Sequence, residues 1–112
     1  MKYLLLLLAF SANAQEISLA HRPADWPHLE IKAQLVTHEQ LLELCPGLPF
    51  YSFDCAIPLF KVGQCLLLLI ENSVMARNHG TLHCNGYDHI GETTMRDKWL
   101  AFKSARQFAR AE

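Results

Sequence analysis

The chain has 112 residues, and its ten Lys and Arg residues nearly balance its eleven Asp and Glu residues, for a formal net charge of −1. This length provides for one small domain and no more. The charge balance argues against nucleic acid as a partner.

The first 14 residues have the pattern of a secretory signal peptide. Lys2 gives a positive start, Leu4 to Phe10 form an apolar core too short to span a bilayer, and Ala14 completes an A-x-A cleavage site. Cleavage after Ala14 leaves a single domain of 98 residues, 15–112, with nine basic and eleven acidic residues and a formal charge of −2. The expected location is the periplasm or the cell exterior, and no stable membrane span is expected.

The first elements of the mature chain are a strand and a short helix. Apolar and polar residues alternate over residues 28–36, which is typical of a half-buried strand. Thr37 and Gln40 form a capping box for a helix over residues 39–44. Cys45-Pro46-Gly47 then ends that helix.

The middle of the chain predicts a β-hairpin. Its strands cover residues 54–60 and 65–70, and the turn covers residues 61–64. The second strand is apolar on both faces, which favours a central position in a sheet. Pro58 confines the first strand to an edge or a bulge.

The four cysteines, an even number in a small exported domain, predict two disulfides. They are Cys45, Cys55, Cys65 and Cys84. In the expected hairpin register Cys55 faces Ile70, which places Cys55 and Cys65 far apart on opposite faces. Two pairings remain open: Cys45–Cys55 with Cys65–Cys84, or Cys45–Cys65 with Cys55–Cys84.

Two further helices are predicted. Asn72 or Ser73 can cap the first, which runs through His79 to His83 and ends at Asn85-Gly86. Thr93-Thr94 can cap the second, a C-terminal amphipathic helix with a basic outer face that is either solvated or in contact with a membrane or an acidic partner. Its apolar stripe consists of Met95, Trp99, Phe102 and Phe108.

Three histidines are spaced as ligands of one metal ion. His79 and His83 lie one turn apart on the same helix face. Gly86 can take a left-handed conformation that stops the helix and returns His89 to the same point. Three imidazoles with one open position describe a catalytic-type zinc site. The alternatives are that the histidines bind nothing, or that Asp88 supplies an oxygen ligand in place of His89.

The spacing resembles the H-E-x-x-H-x-x-G-x-x-H signature of the metzincin clan of zinc metallopeptidases. The stretch from His83 to Gly91 also resembles the end of that motif in small secreted relatives. The resemblance implies a small α+β zincin-like domain, in which a short mixed sheet is combined with a metal-bearing helix. It also implies zinc held by His79, His83 and His89, and a peptide or protein substrate along the edge strand at residues 54–60. Pro58 equally favours an edge that is protected against such pairing.

Gly80 stands where the zincin signature has its general-base glutamate, so no catalytic residue is predicted. Asp88 is expected to orient an imidazole by a hydrogen bond from behind. The predicted function is therefore that of a secreted zinc metallopeptidase-like protein without the usual base for hydrolysis. The alternative is a non-catalytic, disulfide-stapled metal- or partner-binding protein of the periplasm, which includes a metal scavenger.

Overall fold

A computed structural model describes residues 17–18 and 22–111 of the chain, so the predicted signal peptide lies outside the described residues. The fold is α+β, with five strands and three α-helices in the described part. No helix there has the length and apolar character needed to cross a bilayer. The strands are β1 (Ile17–Ser18), β2 (Glu30–Leu35), β3 (Asp54–Leu59), β4 (Gln64–Leu69) and β5 (Asp88–His89), and the helices are α1 (His38–Leu44), α2 (Val74–Cys84) and α3 (Thr94–Ala111).

The main sheet is mixed and has the order β2-β4-β3. Strand β4 pairs in parallel with β2 and antiparallel with β3. This confirms the central position predicted for the second hairpin strand and the edge position predicted from Pro58. The small remaining ladder joins β1 to β5, and the sequence did not predict it.

Strand β4 is apolar on both faces because each face packs against a different helix. Cys65, Leu67 and Leu69 belong to the core under α2 and α3. On the opposite face, Leu68 packs with Leu41 of α1. All five of these side chains are fully buried.

A disulfide joins the sheet to the helix on each face. Cys45–Cys55 ties the end of α1 to β3, and Cys65–Cys84 ties β4 to the last residue of α2. This is one of the two pairings left open by the sequence. The bridges close segments of 10 and 19 residues, and each removes unfolded-state entropy worth roughly 3 kcal/mol in a chain-entropy treatment.

The hairpin register differs from the predicted one by two residues. Cys55 lies opposite Leu68, where the sequence had placed Ile70. The turn begins one residue early, because Phe60 leaves the strand for a short 3-10 turn that Gly63 closes. The Phe60 ring packs against Trp26, Trp99 and Phe102, which explains why it is drawn out of the ladder.

Strand β2 is less buried than its alternating sequence predicts. Leu29, just before it, is buried and Ile31 is partly buried, but Ala33 and Leu35 are exposed. Helix α2 packs across β3 and β4 and leaves the far end of β2 uncovered. The prediction of a half-buried strand is therefore correct only for its first half.

The predicted helix starts are confirmed for α1 and α2. Both hydrogen bonds of the capping box between Thr37 and Gln40 are present, at 2.9 and 3.1 Å. The Ser73 hydroxyl accepts from the Ala76 N–H at 3.0 Å and so caps α2. Helix α3 departs from its predicted stripe at Phe108, which is 72% exposed.

Gly80 is buried where α2 packs against β4. A Cβ placed there would lie 2.2 Å from Leu67 Cδ1 and 3.0 Å from Cδ2. Leu67 is 1% exposed, so any shift of its side chain has to be accommodated within a closely packed core. Close helix–sheet packing therefore explains a glycine that would otherwise only weaken the helix.

We expect Gly80→Ala to lower the free energy of unfolding by up to about 2 kcal/mol. Overpacking costs about 1–3 kcal/mol, which exceeds the helix-propensity gain of about 1 kcal/mol. Urea denaturation of the oxidised protein measures the change. Asn78→Ala, at an exposed position of the same helix, is the matched control and should be neutral or slightly stabilising. Stabilisation by Gly80→Ala would contradict the packing explanation.

Candidate metal centre

The fold brings His79, His83 and His89 together at one end of α2. Their ring centroids are 4.7, 4.8 and 5.1 Å apart. One potential ligand atom from each ring lies within 4.8 Å of the other two. The three histidines predicted from spacing therefore form a cluster that could hold a metal ion.

The turn after α2 brings His89 back to the helix. Gly86 has φ +94°, a left-handed conformation that favours glycine. The N–H groups of Gly86 and Tyr87 donate to the His83 and Leu82 carbonyls and close the helix end.

Trp26 packs against this turn and forms a hydrogen bond with it. Its indole Nε1 donates to the Cys84 carbonyl at 3.0 Å, and its ring would lie within 2.9 Å of any Cβ at Gly86. The tight turn and the close aromatic ring therefore both require glycine at this position. Beyond it, β5 holds His89 opposite Ile17 of β1.

Each imidazole is held from behind by a hydrogen-bond acceptor at its Nδ1. His79 donates to Asp54 Oδ2 at 2.6 Å, and His83 donates to the carbonyl oxygen of Tyr87 at 2.8 Å. His89 Nδ1 lies 3.2 Å from Glu92 Oε2. A carbonyl or a carboxylate can only accept, so each Nδ1 carries a proton, which leaves Nε2 as the ring nitrogen that can bind a metal ion.

The Nε2 atoms converge on one point. Those of His79 and His89 are 2.9 Å apart. At that distance either a shared proton or a metal ion can hold the two nitrogens together. Nitrogens bound tetrahedrally to one zinc at about 2.0–2.1 Å are about 3.3 Å apart, a value between this separation and the 4.8 Å limit of the cluster. The donor set and its spacing are therefore compatible with a bound metal ion.

Asp54, like Glu92, is a site residue that the sequence did not reveal. It begins edge strand β3, lies 25 residues before His79 and is only 8% exposed. A buried carboxylate needs a partner, and the His79 imidazole supplies it. The sequence signal was weak, because nothing local links this aspartate to the histidines.

Asp88 has a different role from the one expected. Its carboxylate accepts the backbone N–H of Met95 at 2.9 Å and that of Arg96 at 3.4 Å. It therefore satisfies free donors at the start of α3, where a negative charge is favourable. Glu92, three residues after His89, orients an imidazole in its place.

Gly80, at the position where the zincin signature has its general-base glutamate, faces the sheet. Gly80 lies against Leu67, away from the converging Nε2 atoms. Asp54 and Glu92, which also border the site, are hydrogen-bonded to imidazole N–H groups.

Comparison of the chain with protein-family models, with curated proteins and with solved structures found no match.

Burial lowers the pKa of His83 below its ordinary value. The hydrogen bond to the Tyr87 carbonyl opposes this shift, and the neighbouring imidazoles add to it. The neutral ring, which is the form that binds a metal ion, is thereby favoured.

This shift predicts how the stability of the metal-free protein depends on pH. The unfolded chain protonates His83 near the ordinary value of 6.5, and the folded protein does so only at lower pH. The unfolded state therefore holds more protons in between, and the free energy of unfolding falls as the pH drops through 6.5. One such group contributes at most about 1.4 kcal/mol per pH unit. Urea titrations of chelator-treated protein between about pH 7.5 and 5 should show a shallower slope for His83→Gln but not for His28→Gln, a change at an exposed histidine.

Proposed function

We propose that this chain is an exported, zincin-like zinc-binding domain that does not hydrolyse peptide bonds. The single observation that carries the proposal is the convergence of three Nε2 lone pairs, each fixed by an acceptor at the opposite ring nitrogen. Such acceptors orient metal-binding histidines and raise their basicity. Two disulfides suit a protein that works in an oxidising compartment.

The three histidines leave one coordination position open to the adjacent cleft. Zinc bound there would act as a Lewis acid toward any oxygen ligand that enters. The contribution of the protein is to hold the rings. Asp54 anchors His79 to the sheet, and the Tyr87 carbonyl fixes His83 within the turn. Glu92 fixes His89 from the start of α3.

Loss of hydrolysis is proposed because of Gly80. General-base assistance contributes typically 10²–10⁴-fold to such a reaction, and a glycine offers no group for it. A glutamate at this position would first have to displace Leu67. Gly80 therefore serves the helix–sheet packing of this domain. We propose metal binding as the native function of the domain.

Metal content is the direct test of the zinc site. The mature protein, produced in an oxidising compartment and purified without chelator, should contain about one zinc per chain by mass spectrometry of the metal. His83→Ala should reduce the content to a small fraction of this value, because two imidazoles remain. His28→Ala, which removes an exposed histidine outside the cluster, should leave it unchanged. Zinc-free native protein would refute the proposal.

Hydrolysis is tested separately on the zinc-loaded protein. Incubation with a mixed peptide library, followed by mass spectrometry, should reveal no product that depends on zinc. Gly80→Glu should also be inactive, because the buried contact with Leu67 opposes its folding. Gly80→Glu combined with Leu67→Ala makes room for the carboxylate and shows whether the base alone is missing. Chelator-sensitive cleavage by the native protein would establish a metallopeptidase that uses another base.

A further inference from the structure

A cleft of about 240 Å³ opens beside the three histidines. It lies between edge strand β3, the segment that precedes it and the first turns of α3. Its volume is below the range of about 300–1,000 Å³ that is typical for drug-sized ligands, so it suits one or two amino-acid residues. Apolar side chains line much of it, namely Leu48, Pro49, Tyr51, Phe53 and Met95.

Lys98 is the cationic side chain of this cleft. Three carboxylates also line it, and each already accepts hydrogen bonds: Asp54 from His79, Asp88 from the start of α3 and Glu92 from His89. Among the described residues, no carboxylate lies within 4.0 Å of Lys98 Nζ. The ammonium group is therefore available to a ligand.

Lys98 lies on the face of α3 that borders the cleft. Met95, one turn earlier on the same face, is buried in the core and lines the same cleft. Desolvation lowers the pKa of Lys98, and the charge of Asp88 opposes the shift. Lys98 is nevertheless an exposed residue, so its ammonium group is accessible to an anionic partner that enters the cleft.

The outer edge of β3 offers backbone groups to the same cleft. The Ile70 N–H donates to the Phe53 carbonyl, so residues 53, 55, 57 and 59 point their backbone groups toward β4. Alternation then directs the N–H and C=O of Asp54 and Ala56 outward. No described strand pairs with this side of β3. Pro58 also lies on the outward side, where its missing N–H removes no bond to β4 and ends the available edge after Ala56.

We propose that this cleft binds the C-terminal carboxylate of a peptide whose last residue is apolar. The proposal rests on the zinc site proposed above. The carboxylate takes the open coordination position and pairs with Lys98. The last side chain packs against the apolar lining, and the preceding backbone hydrogen-bonds to the edge at Asp54 and Ala56.

Charge makes this binding depend on the metal. Without a metal ion, the cleft has three carboxylates and one ammonium, an excess of two negative charges that disfavours an anion. A divalent cation at the three histidines cancels that excess and adds a direct partner for the carboxylate. A peptide amide offers no negative charge to either cation.

Isothermal titration calorimetry on the oxidised mature protein tests the proposal. The ligands are N-acetyl-Ala-Phe, its C-terminal amide and 3-phenylpropanoate, each added to zinc-loaded and to metal-free protein. We expect the free acid to bind the zinc-loaded protein, and amidation or removal of zinc to weaken binding about tenfold or more. Lys98→Gln should also weaken it about tenfold, because it removes a charged hydrogen-bond donor. Lys61→Gln, in the turn at the far end of β3 from Asp54, should leave it unchanged.

Each other outcome overturns part of the proposal. Equal affinity for acid and amide excludes carboxylate recognition, and equal affinity for 3-phenylpropanoate excludes a peptide as the specific ligand. Unchanged affinity in Lys98→Gln excludes the role of the lysine. Zinc content is measured first in every sample. Protein that lacks zinc contradicts the proposed function itself, whereas protein that holds zinc but binds no acid contradicts only this inference.

Discussion

The metal centre depends on the close approach of α2 to strand β4. Gly80 allows that approach because it has no side chain to meet Leu67. The Cys65–Cys84 bridge fastens the end of the helix to the same strand. A helix held at this distance presents His79 toward edge strand β3, where a buried aspartate can reach its imidazole. A larger residue in place of Gly80 would push α2 away from the sheet, and the hydrogen bond behind His79 would lengthen with it.

The third ligand depends on a second constraint, the tight turn at Gly86. Trp26 packs against this glycine and donates to the carbonyl of Cys84, so the turn is held from the segment that precedes the sheet. Asp88 and Glu92 then join the turn to the start of α3. The histidines are thus anchored to strands β3 and β4, to the segment that precedes the sheet and to the start of α3. Metal binding should therefore stabilise the whole domain by mass action.

Close packing also separates metal binding from hydrolysis. In the motif that this chain resembles, one helix supplies both ligands and the base. Here the position after His79 is occupied by the contact with β4, and the carboxylates near the site are used to orient imidazoles. What remains is a three-histidine cluster that could hold a metal ion, beside an apolar cleft with one available ammonium group. Such a site is better equipped to hold a carboxylate than to activate a water.

The sequence by itself determined the local features. The capping box at Thr37, the central strand and the helix that ends at Gly86 follow from patterns within a few residues, because caps, periodicity and left-handed glycines act locally. The ligand spacing is local for the same reason. Only the tertiary structure decided between the two disulfide pairings and placed the hairpin turn one residue earlier, because distant aromatic rings compete for Phe60. It alone brought Asp54 to His79 across 25 residues, since the burial that makes such a pair necessary exists only after the sheet and helix have packed.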